Sequence, residues 1–152
     1  LLSNGPAKDI QNFRLKNLEN DWTSFEQLQG DSLTVIDFWA TWCKPCLKSL
    51  PKLNKLAEQY RECGVQFIGI NTDSPRNSAK VKSFVRTFGV SYPVLRDENG
   101  AVASRLNVSA IPTLIIVDSE KNIAYRHQGY SPGDEKVIRE TIKGLLQDES
   151  NR

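Results

Sequence analysis

Apolar and polar residues recur along this chain with two periods, and each period predicts an element. The run Thr34-Val35-Ile36-Asp37-Phe38-Trp39 is long and β-branched enough for a buried strand, with turn-prone Gly30-Asp31-Ser32 just ahead of it. After it Leu47, Leu50, Leu53, Leu56 and Tyr60 return every three or four residues, as one face of a helix does. That helix should close near Glu62-Cys63-Gly64, where Gly64 can take the left-handed capping conformation. Val65-Gln66-Phe67-Ile68-Gly69-Ile70 predicts a second core strand, and Val81, Phe84, Val85 and Phe88 a helix stopped by Gly89. A short strand at Tyr92-Pro93-Val94-Leu95-Arg96, a turn at Asp97-Glu98-Asn99-Gly100 and a short helix over 101–106 follow. Thr113-Leu114-Ile115-Ile116-Val117 and Ile123-Ala124-Tyr125-Arg126-His127-Gln128 predict a hairpin. Val137, Ile138, Ile142, Leu145 and Leu146 mark the buried side of a final helix. Upstream, residues 13–18 alternate as an edge strand would, and 22–28 suit a short helical turn with Trp22 as core cover. Residues 1–9 and 147–152 are expected to be flexible.

Composition narrows the class. A chain of 152 residues, 39% apolar and 25% charged, fits one globular domain over 1–152 with a core of its own. A net charge of +2, with basic and acidic residues interspersed, leaves no footprint for nucleic acid. No apolar stretch approaches the roughly 18 residues of a membrane span. The chain has no methionine, even at position 1, which points to a processed product or fragment that a signal peptide or anchor could precede. No internal repeat or linker interrupts it.

Three cysteines carry the candidate chemistry. Cys43-Lys44-Pro45-Cys46 stands where the apolar strand gives way to the helix, so it sits at a helix N-terminus. There the unpaired N–H groups of the first turn and the helix dipole stabilise an anion, and a thiolate is one. Free cysteine has a pKa of about 8.5, and Cys-x-x-Cys sites at helix starts fall to roughly 3.5 to 7.5. Cys43, nearer solvent, is the expected attacker; Cys46, about one turn further in, is the expected resolving thiol. Lys44 adds positive charge beside the thiolate, and Pro45 loses nothing in a first turn. A structural zinc site would need four ligands, and here Cys63 stands alone while the single histidine, His127, lies on a much later element, so no metal is expected. Cys63 reads as an inert, partly buried helix-end residue, and His127 as a strand-edge residue far from the motif. Asp37 is the anomaly of the central strand. Buried, it would have a raised pKa and could exchange a proton with Cys46; solvated, it would only cap or face water. Trp39 reads as packing and Trp42 as part of the surface a substrate approaches.

Asp37-Phe38-Trp39-Ala40-Thr41-Trp42-Cys43-Lys44-Pro45-Cys46, with Pro51 inside the following helix, resembles the thioredoxin superfamily. The additional Val90-Ser91-Tyr92-Pro93-Val94 and Asp97-Glu98-Asn99-Gly100 before Ala110-Ile111-Pro112-Thr113 are similar to its TlpA/ResA branch. The resemblance implies an α/β, thioredoxin-like fold: a central mixed β-sheet flanked by helices, with an extra strand-helix insertion before the cis-proline strand. It implies a redox-active Cys43–Cys46 disulfide with no other cofactor, and catalysis by Cys43, Cys46 and Asp37. It implies substrate binding by Trp42, Lys44, Pro45 and Ile111, and by Pro112 in the cis form facing the cysteines. The branch comprises extracytoplasmic thiol-disulfide oxidoreductases of bacteria. The expected partners are therefore a protein disulfide, with apocytochrome c as one candidate, and a membrane-embedded dithiol donor, for a monomer held outside the cytoplasm with or without an anchor. ResA-like members have asparagine in place of Asp37 and a glutamate near the end of the second core strand, where Asp73 could substitute or simply cap a turn. Two other uses of the fold make demands on the sequence. A thiol peroxidase would need Pro-x-x-x-Thr-x-x-Cys, which is absent, and a copper-delivery module of this fold spaces its cysteines by three residues and adds a histidine.

Overall fold

The structure, a computed structural model, describes residues 8–152. Its centre is β3 (Leu33–Trp39), buried at every residue, as expected of a strand with helices on both faces. The chain reaches it through β1 (Arg14–Asn17), β2 (Trp22–Ser24) and a single turn of helix, α1 (Phe25–Leu28), started by a capping box between Ser24 and Gln27. After β3 come α2 (Lys44–Tyr60), β4 (Val65–Asn71), α3 (Ser78–Thr87), β5 (Val94–Arg96) and α4 (Ala101–Arg105). The hairpin β6 (Thr113–Asp118) and β7 (Ile123–Gln128) and the helix α5 (Asp134–Ser150) complete the chain.

The strands form one mixed sheet in the order β2-β1-β5-β4-β3-β6-β7. β3, β4 and β5 run parallel, joined by α2 and α3 as crossovers, and β6 returns antiparallel beside β3. This is the mixed sheet with an added strand-helix insertion that the resemblance implies. Alternation along β3 then sorts the core. Leu33 and Val35 pack with Leu53, Leu56, Ile138 and Ile142 on the side of α2 and α5, while Ile36 and Phe38 pack with Phe25, Val102 and Leu106 on the other. Asp37 shares the α2 face with Leu33, Val35 and Trp39, so the strand's one charge points beneath the helix that carries the cysteines. Gly64 closes the run after α2 at φ +80°, with no room for a Cβ beside Ser32.

Several expectations are corrected. β1 is an inner strand, because β2 folds back along it and takes the edge. Residues 22–24 accordingly extend before the helical turn at 25–28. Trp22 is 57% exposed on that edge, beneath the cations of Arg14 and Lys16, rather than covering the core. Val137 faces solvent. Of the segment expected to be loose at the start, 1–7 lie outside the described residues. Ile10 N–H donates to Lys121 O, and Lys8 O accepts from Ile123 N–H. At the other end α5 continues to Ser150, and Arg152 pairs with Asp118, Glu120 and Glu149 where the pattern predicts a frayed tail.

Candidate active site

Cys43 is the N-cap of α2. Its backbone is extended (φ −99°, ψ 104°), Lys44 and Pro45 fill the first two helical positions, and its sulfur accepts from the Cys46 N–H at 3.3 Å. The sulfur thus occupies the place where a helix start favours negative charge. Cys43 and Cys46 are joined as a disulfide with Cα atoms 5.3 Å apart. Both are buried, Cys43 with 6% of its surface exposed and Cys46 with none, packed with Trp39, Leu50 and Val81. Pro51 cannot donate to the Leu47 carbonyl inside the helix.

Above the pair, the β3–α2 loop is tied to the β4–α3 loop by Asp73. Its carboxylate accepts from Thr41 N–H at 2.8 Å, Thr41 Oγ1 at 2.7 Å, Asn71 Nδ2 at 2.8 Å and Asn77 Nδ2 at 3.0 Å. Burial alone would raise its pKa, but the bonds from Thr41, Asn71 and Asn77 outweigh this and hold it below its ordinary value. Asp73 is therefore a latch between the two loops, holding the residues that lead into Cys43, rather than a helix cap.

Asp37 lies beneath α2 and is 1% exposed. Its Oδ2 has no hydrogen-bond partner, and desolvation pushes its pKa up to about 8. It abuts a narrow crevice of about 10 Å³, shared with Ser49, Leu53, Pro112, Leu114 and His127. Ser49 is one helical turn beyond Cys46 and its Oγ donates to the Cys46 carbonyl. The solvated alternative for Asp37 does not apply.

Ile111-Pro112 is a cis peptide bond, with Pro112 buried against the crevice. Ile111 packs in the cluster containing Cys43 and Cys46 and lines an open groove of about 690 Å³ with Trp42, Thr72, Ala103, Asn107 and Ala110. Trp42, 65% exposed, forms the wall nearest Cys43. Lys44 and Pro45 are exposed beside it. The structure thus brings Asp37, Trp42, Cys43, Cys46, Ile111 and Pro112 to one end of the sheet, at the C-terminal end of β3.

Sequence reading missed the far wall of the groove, 103–110, which is remote along the chain and carries no motif. His127 was expected far from the motif. Register puts it in one row with Leu114 and Asp37, and its ring bonds Tyr125 and Asp134. Cys63 is exposed rather than partly buried. Among the described residues no cluster of histidine, cysteine and acidic side chains could hold a metal ion, and no helix is long and apolar enough to cross a membrane.

Comparison with known proteins agrees with this geometry. The Redoxin family model matches residues 6–142. The thiol-disulfide oxidoreductase ResA of Bacillus cereus (strain ZK / E33L) is 30% identical over 141 residues, 93% of this chain and 76% of that protein. The thioredoxin-like protein YneN of Bacillus subtilis (strain 168) is 34% identical over 124 residues, 81% and 71% of the two chains. Among solved structures, an uncharacterized conserved protein from Geobacillus kaustophilus superposes with a TM-score of 0.85 at 25% identity, covering 95% of this chain and 83% of that one. StoA from Bacillus subtilis does so at 0.70 and 22%, covering 86% and 95%. The chain belongs to the Redoxin family and is a thiol-disulfide oxidoreductase of thioredoxin-like fold, related to ResA.

Proposed function

We propose that this oxidoreductase works as a reductant of protein disulfides outside the cytoplasm, with Cys43 attacking, Cys46 resolving and Asp37 carrying the proton. The observation behind these roles is the sulfur of Cys43 acting as the N-cap acceptor of α2 and keeping some exposure, with Cys46 fully enclosed one turn behind it. In the reduced protein the Cys43 thiolate attacks one sulfur of a substrate disulfide; that bond breaks, and the departing thiolate takes a proton from water. Cys46 then attacks the Cys43 sulfur as its own proton passes to the ionised Asp37 carboxylate. The second substrate thiolate leaves and is protonated by water. The substrate has gained two electrons and the protein has lost them. A dithiol donor restores the pair by the reverse exchange, with Asp37 returning its proton to Cys46.

An extended substrate segment lies in the groove between Trp42 and Ile111, where the backbone before Pro112 offers strand-like pairing and Lys44 and Pro45 border the approach. No dissociable cofactor or metal enters this scheme. Kinship with ResA supports an extracytoplasmic location, apocytochrome c cysteines as one substrate and a membrane-embedded dithiol as donor; the protein acts as a monomer. Trapping tests the assignment. Cys46→Ala should accumulate a mixed disulfide through Cys43 with its partner, identifiable by mass spectrometry, and Cys43→Ala should not. Equal trapping by both variants would overturn the assigned roles.

A further inference from the structure

Five buried side-chain nitrogen or oxygen atoms among the described residues lack a hydrogen-bond partner, and three of them belong to residues packed or paired around Gly69. These are Asp37 Oδ2, Trp39 Nε1 and the Tyr92 hydroxyl; the other two are the Nε atoms of Arg96 and Arg126. Gly69 pairs with Asp37 across β3 and β4. A Cβ there would stand 3.2 Å from Tyr92 Cε1 and 3.3 Å from Trp39 Nε1. Glycine is what lets the Tyr92 ring pack against β4 beside the central strand, its ring tilted on Phe67, close enough to Asp37 to feel its charge. An unmade hydrogen bond is costly for each of these buried atoms, and orphans of complementary type packed around one residue point to a bond made in another protonation state. Tyrosine supplies that bond, since its hydroxyl donates to a carboxylate and accepts from a carboxylic acid.

We propose that Tyr92 is a positioning residue for the proton-transfer carboxyl: its hydroxyl donates to Asp37 Oδ2 when Asp37 is ionised, across the gap that Gly69 leaves open. The consequence is chemical. A carboxylate buried with no donor would hold its proton too tightly to accept one from Cys46, and a donor that engages only the ionised form brings it back towards the working range. Burial and the nearby charge of Asp37 both push the ionisation of Tyr92 itself far upward, so the hydroxyl keeps its proton and stays a donor. The other titratable groups near Asp37 lie elsewhere. Cys46 is on the helix above, and His127 and Tyr130 stand across the crevice, engaged by Asp134 and Glu135.

This inference rests on the proton role given to Asp37, and its test separates the two. In the oxidised protein neither active-site cysteine titrates, so the carboxyl of Asp37 can be followed by isotope-edited NMR across pH, with Asp37→Asn identifying its signal. Tyr92→Phe should raise the midpoint by about one pH unit, the size of a weak charge-assisted hydrogen bond. The midpoint of the alkaline rise in turnover should move by the same amount. In an Asp37→Asn background Tyr92→Phe should change neither the remaining titrations nor the rate. An unmoved Asp37 midpoint, with the variant folded by its thermal transition, overturns the Tyr92 assignment whatever Asp37 does in catalysis. If the midpoint moves while Asp37→Asn keeps full turnover, the pairing stands and the proton role of Asp37 falls.

Discussion

Replacing Asp37 by asparagine should stabilise the oxidised protein, and by more as the pH rises. In the unfolded chain this carboxyl titrates near its ordinary value of 3.8; in the folded protein burial holds its proton until about 8. Between those values the folded state binds a proton that the unfolded state has released, so stability falls as pH increases. The contribution is fully present below about 3.8 and fully lost above about 8. Each unit is worth about 1.36 kcal/mol, and the roughly four units of that window make about 5–6 kcal/mol. At pH 7 the window is about three-quarters traversed, and the expected gain for Asp37→Asn is about 4 kcal/mol. That is a large share of the 5–15 kcal/mol by which a domain is typically stable. The assay is denaturant unfolding of wild type and variant in the oxidised form from pH 4 to pH 9. The difference between the two curves cancels every other titrating group. It should climb by about 1.4 kcal/mol per unit and level off near pH 8. A difference that stays flat between pH 5 and pH 8 would mean that the folded protein does not hold the Asp37 proton above its ordinary range. The proton-transfer role would go with it.

Further outcomes follow from the same geometry. Asp73→Ala strips the Thr41 N–H and hydroxyl of their buried acceptor, so it should cost about 2–4 kcal/mol and slow exchange by loosening the run into Cys43; urea unfolding and disulfide reduction rates check both. Because Asp73 is held below its ordinary value, its contribution is present above about 3.8 and lost as the pH falls through the lower folded value, the opposite sign to Asp37. Trp42→Ala removes the groove wall beside Cys43 and should raise KM for a protein disulfide several-fold while leaving reactivity with a small disulfide unchanged. Cys63→Ser should leave activity and thermal stability unaltered, since Cys63 is exposed and apart from the site.

The chain discloses its centre and conceals its margins for physical reasons. Strand β3, helix α2 and the cysteines between them are local features: a β-branched run, a three-to-four-residue recurrence, and two thiols whose spacing places them on one side of a helix start. Asp37 is legible because a charge between Ile36 and Phe38 in an otherwise uncharged strand has no ordinary explanation. What neighbours it across the sheet is not local. Tyr92 packs against the strand beside it because Gly69 has no side chain, and His127 joins its row because β6 and β7 pair in one particular register. No pattern in residues 103–110 announces a groove wall, since α4 and the loop after it acquire that role from the fold. Trp22 was misjudged because apolarity alone does not separate a core tryptophan from one capped by Arg14 and Lys16 at a sheet edge. The edge itself was misplaced because alternation in 13–18 is equally compatible with a strand that has a neighbour on one side or on both.

The most direct measurement is the ionisation of Cys43 in the reduced protein, followed by ultraviolet thiolate absorbance and by the pH dependence of its alkylation. A sulfur held at the N-terminus of α2 should be half-ionised below about pH 7.5 and should react before Cys46. A midpoint at about 8.5 or above, or modification of Cys46 first, would contradict it.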